Sequence, residues 1–62
     1  MRIGENLKRI RKQRGLTLAA LAKMANLNLN TINRVEKGRT PSPTTLKKLS
    51  EALNIKTERF YK

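Results

Sequence analysis

The segment from Thr17 to Gly38, TLAALAKMANLNLNTINRVEKG, constrains this chain more than any other, because two short helical patterns flank a residue suited to a sharp corner. Thr17 is placed to cap a helix whose apolar positions Leu21, Met24 and Ala25 fall three and four residues apart. Asn26 then stops it. After Gly, Asn best tolerates the left-handed conformation at a helix end, since its short side chain bonds locally. Leu27 is expected to be a buried plug, and Asn28 offers a side-chain oxygen to the free N–H groups of the next helix. Ala22 falls where the two helices would cross, and a larger side chain there would push them apart. The order of cap, corner and cap has the spacing of a helix-turn-helix.

With the second helix taken as Leu29 to Lys37, at about 100° per residue, Leu29, Asn33, Lys37, Asn30 and Arg34 fall within an arc of about 140°. Ile32 and Val35 point nearly the opposite way. One side therefore belongs to a core and the other faces a partner. The chemistry of that outer side suits base edges: Asn pairs with adenine through two hydrogen bonds, Arg with guanine, and an apolar side chain sits against a thymine methyl. Leu29, Asn30, Asn33 and Arg34 are the base-contacting candidates.

The charge balance points to the same partner. The 62 residues carry 15 Lys and Arg against 4 Asp and Glu, a net charge of +11. Such a surplus destabilises a compact state by self-repulsion and draws the chain to polyanions. Phe60 and Tyr61 are the only aromatics, so the stacking platform of single-strand and many RNA binders is missing, and duplex DNA is the expected partner. Neither Cys nor His is present, which removes disulfides, thiolate zinc sites and the commonest general base. No catalytic residue, metal or cofactor is expected. No apolar run approaches the ~18 residues of a membrane span, and residues 1–7 lack the apolar core of a signal peptide. A cytoplasmic, nucleoid-associated location follows as the expectation.

Around the central segment, Ile3, Leu7 and Ile10 predict a first helix ending at Gly15, with Leu16 tucked under it and Lys8, Arg9, Lys12 and Arg14 outside. Arg11 lies at the edge of the apolar stripe. After Val35 comes a loop with two prolines, in which Gly38 suits a left-handed helix end. Its N–H groups and the side chains of Arg39, Thr40 and Ser42 are free to grip phosphates, which position a reading helix without adding sequence information. Thr17, Asn28, Lys37, Gly38, Arg39, Thr40 and Ser42 are the phosphate-contacting candidates. Ser42 caps a fourth helix that Pro43 enters at its first turn, with Leu46, Leu49, Ala52 and Leu53 buried and Asn54 at its end. Ile55 continues the core. Thr57 is expected to cap a final turn in which Phe60 packs and Tyr61 is half exposed.

Ile10, Arg11, Gly15, Leu16, Thr17, Leu21, Ala22, Ile32, Val35, Glu36, Gly38, Pro43, Leu46, Leu53 and Phe60 together resemble the lambda-repressor-like helix-turn-helix family, the phage CI and Cro repressors and XRE-type regulators. The runs RKQRGLT, LA, TINRVEKG and PSPTTLKKLSEAL occur in the family's order, and the likeness covers roughly residues 3–60. It implies an all-α, compact five-helix domain over residues 1–62 that binds a two-fold operator as a homodimer, assembled on DNA or from a longer chain. It also implies an internal ion pair between Arg11 and Glu36, a loop running along phosphates, and dimer contacts at Ile55, Lys56, Thr57 and Glu58. Leu18 departs from the family's usual glutamine, which removes one expected phosphate contact. Packing under Leu29 and a partner-binding role both stay open for it.

The implied function is a sequence-specific transcription regulator, a repressor. The alternative is an antitoxin or another protein-partner module that autoregulates its promoter on the same fold. A cationic membrane-surface peptide is the third reading, and caps, turns and a multi-helix core argue against it. With no room for a ligand-binding domain, control is expected to come from concentration, a partner or residues outside this chain.

Overall fold

Helices in this protein begin and end where side-chain and backbone chemistry permit, and those stops set the architecture. The computed structural model describes residues 2–62. It contains α1 (Ile3–Gln13), α2 (Leu18–Ala25), α3 (Leu29–Glu36), α4 (Pro43–Leu53) and a closing 3-10 helix (Thr57–Tyr61). The described residues hold four α-helices and no strand. In place of a fifth α-helix the chain closes on the 3-10 segment, where Arg59 N–H bonds the Lys56 carbonyl three residues back at 3.0 Å, as suits so short a piece.

All four α-helices stop in the same way. Gly15, Asn26, Gly38 and Asn54 adopt positive φ of 67°, 55°, 116° and 55°. The N–H of the following residue then reaches back to a carbonyl of the last turn: Leu16 to Arg11 at 3.1 Å, Leu27 to Ala22 at 2.9 Å, Arg39 to Arg34 at 3.0 Å and Ile55 to Ser50 at 3.0 Å. This is the Schellman arrangement, which commonly adds an apolar contact from that following residue. Leu16, Leu27 and Ile55 supply one, each partly buried against the core. Arg39 does not; it is exposed.

Every element contributes to one core, in which Leu7, Leu21, Ile32, Leu49, Leu53 and Phe60 are fully buried. The radius of gyration is 9.9 Å, and a core this small goes with close approach of the backbones. Gly4 marks the closest approach. A Cβ built there would stand 2.2 Å from the Val35 carbonyl oxygen, so α1 meets the end of α3 backbone to backbone. Asn6, also buried, donates from Nδ2 to the Phe60 carbonyl at 2.7 Å and ties the 3-10 helix to α1. The Arg14 guanidinium donates to the Leu53 carbonyl, a cation placed at the negative end of α4.

Several expectations need correction. Helix α1 ends at Gln13, two residues before Gly15, and α3 ends at Glu36 with Lys37 as its C-cap. Met24 is 53% exposed: at about 100° per residue it lies some 60° beyond the arc of Leu21, Ala25, Leu18 and Ala22 that meets the core. Leu27 and Ala52 are half-buried instead of fully buried, whereas Tyr61, at 56%, has the half exposure expected of it. Thr57 is the first residue of the 3-10 helix, whose N-cap, Lys56, makes no side-chain cap bond. Of the residues in the signal-peptide reading, Met1 lies outside the described ones; among the described residues no helix is long and apolar enough to cross a membrane.

The corner between α2 and α3 makes a direct test of this stop chemistry. Asn26→Ala should lower stability by about 1 to 2 kcal/mol, the cost of the left-handed conformation, while Asn26→Gly should stay close to the parent. Urea unfolding midpoints of the two variants check this.

Candidate nucleic-acid interface

Both ends of α3 are held, and that is what presents its outer side. At the start, Asn28 is extended and its Oδ1 accepts the Asn30 N–H at 2.8 Å, while Thr17 Oγ1 caps α2 by accepting the Ala20 N–H at 3.0 Å. The side-chain oxygens of both residues are therefore used locally. The amide N–H groups of Asn28 and the hydroxyl hydrogen of Thr17 are left to donate outward. Ile32 and Val35 are buried at 0% and 2%, which orients the remaining arc to solvent. On that arc Leu29 is 41% exposed, Asn30, Arg34 and Lys37 are exposed, and Asn33 is half-buried.

At its far end α3 is clamped to α1. Arg11 Nε donates to Glu36 Oε2 at 2.7 Å and Nη2 donates to Oε1 at 3.1 Å, a two-pronged pair whose side chains keep only 9% and 7% exposure. Arg11 Nη1 donates to the Leu16 carbonyl at 2.7 Å, so one guanidinium joins α1, the segment entering α2, and α3. The Glu36 hydrogen bond holds the Arg11 guanidinium above its ordinary pKa, with burial opposing and the carboxylate charge assisting. A raised pKa on a cation stabilises the fold fully below the unfolded value and loses that contribution only as pH rises through the folded one. The clamp is therefore constant across physiological pH.

Beyond α3 the loop runs along the flank of the helix that carries Thr31, Arg34 and Val35. Gly38, Arg39, Thr40 and Ser42 are all exposed. Ser42 Oγ accepts the Thr45 N–H at 3.1 Å and donates to Thr45 Oγ1 at 2.9 Å, which commits its hydroxyl to capping α4. Between α3, the loop and α4 lies an open cleft of about 300 Å³ lined by Thr31, Arg34, Arg39, Thr40 and Thr45 among others, with no carboxylate in its walls. The fold thus brings two arginines to one cleft from opposite sides of the helix stop at Gly38.

The sequence-read residues divide by place. Leu29, Asn30, Asn33, Arg34 and Lys37 share the outer side and end of α3, with Asn28 at its start and Thr17 at the start of α2. Gly38, Arg39, Thr40 and Ser42 follow in the loop, while Ile55, half-buried, and Lys56, Thr57 and Glu58, exposed, stand apart after α4. Leu18 is half-buried against the core. Two positioning residues escaped the sequence reading, Gly4 and Asn6. A glycine inside a helical pattern costs ~1 kcal/mol against alanine, and that cost was the available sign that a close backbone contact required it.

Comparison with known proteins places the same segments in a known context. Residues 7–60 match the family profile described as "Helix-turn-helix". The chain is 42% identical over 57 residues to "HTH-type transcriptional repressor RghR" of Bacillus subtilis (strain 168), a match covering 89% of this chain and 42% of that protein. It is also 41% identical over 56 residues to "Immunity repressor protein" of Bacillus phage phi105, covering 89% of this chain and 39% of that one. The chain thus spans about two fifths of the length of these relatives.

Because the Arg11 and Glu36 side chains are nearly buried, removing one strands the other. Glu36→Ala should cost about 3 to 5 kcal/mol in urea unfolding, and the double change Arg11→Met with Glu36→Leu should cost less than the single, since no uncompensated charge remains.

Proposed function

The chain belongs to the helix-turn-helix family of XRE type, and on that premise we propose that it is a single DNA-binding domain that regulates transcription as a repressor. One observation carries the reading: α3 buries Ile32 and Val35, is capped at Asn28 and clamped at Glu36, and turns amides and a guanidinium outward. In this reading α3 enters the major groove. Arg34 pairs with a guanine edge, Asn30 and Asn33 with adenines, and Leu29 meets a thymine methyl. Thr17, Asn28, Lys37, Gly38, Arg39, Thr40 and Ser42 hold the flanking phosphates, with Ser42 contributing through its backbone because its hydroxyl is engaged.

The repressor acts as a dimer on a two-fold operator, its half-sites about 34 Å apart, one helical turn. The domain measures 23 Å along its longest axis by Cα positions, and side chains add about 3 Å on each side. Two copies about 29 Å across come into contact by lying nearer to the dyad than their reading helices do. The interface is small, Ile55, Lys56, Thr57 and Glu58 are its candidates, and DNA supplies the alignment. Leu18, for which a partner-binding role stood open, is partly buried against the core, which leaves the protein-partner alternative to the exposed Leu29. A cytoplasmic, nucleoid-associated location goes with the repressor reading.

Selection of bound duplexes from a random pool should return a two-fold symmetric consensus; a featureless pool would refute sequence-specific recognition. Against that consensus, Arg34→Ala should lose ~1 to 3 kcal/mol on the cognate duplex and little on random DNA. Arg39→Ala should weaken both alike and reduce the slope of log affinity against log salt by about 1. Salt-dependent binding titrations on the two duplexes distinguish them.

A further inference from the structure

The reading surface uses little of the positive charge. Of the 15 Lys and Arg, four, Lys23, Arg34, Lys37 and Arg39, lie between Thr17 and Ser42. Arg11 is committed to Glu36 and Arg14 to the Leu53 carbonyl. The rest lie outside the helix-turn-helix, on a chain whose net charge of +11 works against its own compaction.

The densest group is on α1. At about 100° per residue, Lys8, Lys12, Arg9 and Arg2 fall within some 120°, accompanied by one carboxylate, Glu5. All five are exposed. The opposite side of α1 is filled by Ile3, Leu7 and Ile10, each no more than 4% exposed, and Gly4 and Arg11 mark the side that meets α3 at Val35 and Glu36. The middle of the stripe lies about 110° round α1 from the side that meets α3, so it stands clear of the contact between the two helices.

The chemistry of the stripe selects its partner. A membrane surface needs an apolar side to insert, and every apolar residue of α1 is already in the core. A protein interface draws most of its affinity from desolvated anchors, Trp, Tyr and Arg above all, and the stripe offers no aromatic and two arginines that stand exposed with no apolar neighbour on their side of the helix. Closely spaced cations without shape or apolar content fit a regular polyanion, held through counterion release.

We propose that the α1 stripe is a second, sequence-independent contact for duplex DNA, so that a molecule seated on one duplex through α3 holds another segment through α1. The proposal rests on the reading of α3 as the DNA-facing helix, and its test scores the two separately. Operator binding is measured alone by gel shift. Bridging is measured as recovery of a labelled duplex of unrelated sequence on beads carrying the selected operator duplex, at about 100 mM salt.

The parent protein should recover the labelled duplex. The double variant Lys8→Glu, Lys12→Glu should recover it roughly tenfold less, with operator binding within about twofold and an unchanged urea midpoint. Three results overturn the proposal: a parent that saturates the operator and captures no second duplex, a double variant that captures as much as the parent, or anionic phosphatidylglycerol vesicles captured in preference to duplex. The second of these would assign bridging to the two reading helices of a dimer. Absence of operator binding by the parent would instead remove the α3 reading, and this proposal with it.

Discussion

The contact between α1 and the last turn of α3 is the one on which the arrangement depends. Arg11 and Glu36 lie 25 residues apart and are held by two hydrogen bonds, and the same guanidinium takes the Leu16 carbonyl. Beside this pair Gly4 lets the α1 backbone rest on Val35. A charge pair this close to full burial is weak as a source of stability, because desolvation offsets most of its attraction. Its value is in geometry, since neither partner can move without stranding the other. The direction of α3 is therefore tied to α1 through polar bonds as well as through packing of Ile32 and Val35.

Local stereochemistry explains how much of this was legible in the sequence. The caps at Thr17, Asn28 and Ser42 and the left-handed stops at Asn26, Gly38 and Asn54 act over two to five residues, and each is where side-chain chemistry indicated. What failed to read depends on partners distant in sequence. Met24 is three residues from Leu21, yet the arc of α2 that meets the core is fixed by the elements packed on it and leaves Met24 just outside, exposed. Gly4 and Asn6 look unremarkable until Val35 and Phe60, 31 and 54 residues away, are brought against them. The final turn is present as a 3-10 segment, with Phe60 in the core and the Asn6 bond on its carbonyl, but Thr57 is its first residue and not its cap.

For the candidate site the division is the same. The outer arc of α3 follows from helical periodicity alone, because burial of Ile32 and Val35 forces the rest outward. The cleft shared by Arg34 and Arg39 does not, since it depends on the path of the loop after Gly38. Ser42 shows the limit of reading residue types: its hydroxyl suits a phosphate, but the Thr45 backbone and side chain already occupy it. Electrostatics acts on a longer scale than either, and the proposed bridging function arises from charge that local geometry leaves unused.

The way α3 is bounded has an evolutionary consequence. Its start depends on Asn28, its end on Gly38 and on the clamp at Glu36, and its attachment on Ile32 and Val35, so the outward side chains of Leu29, Asn30 and Arg34 are not among the contacts that bound the helix. Drift at those three positions is free of the penalty that constrains interior residues. On the proposed reading of α3, a lineage built on this scaffold can exchange one genomic address for another by a few substitutions while inheriting its architecture intact.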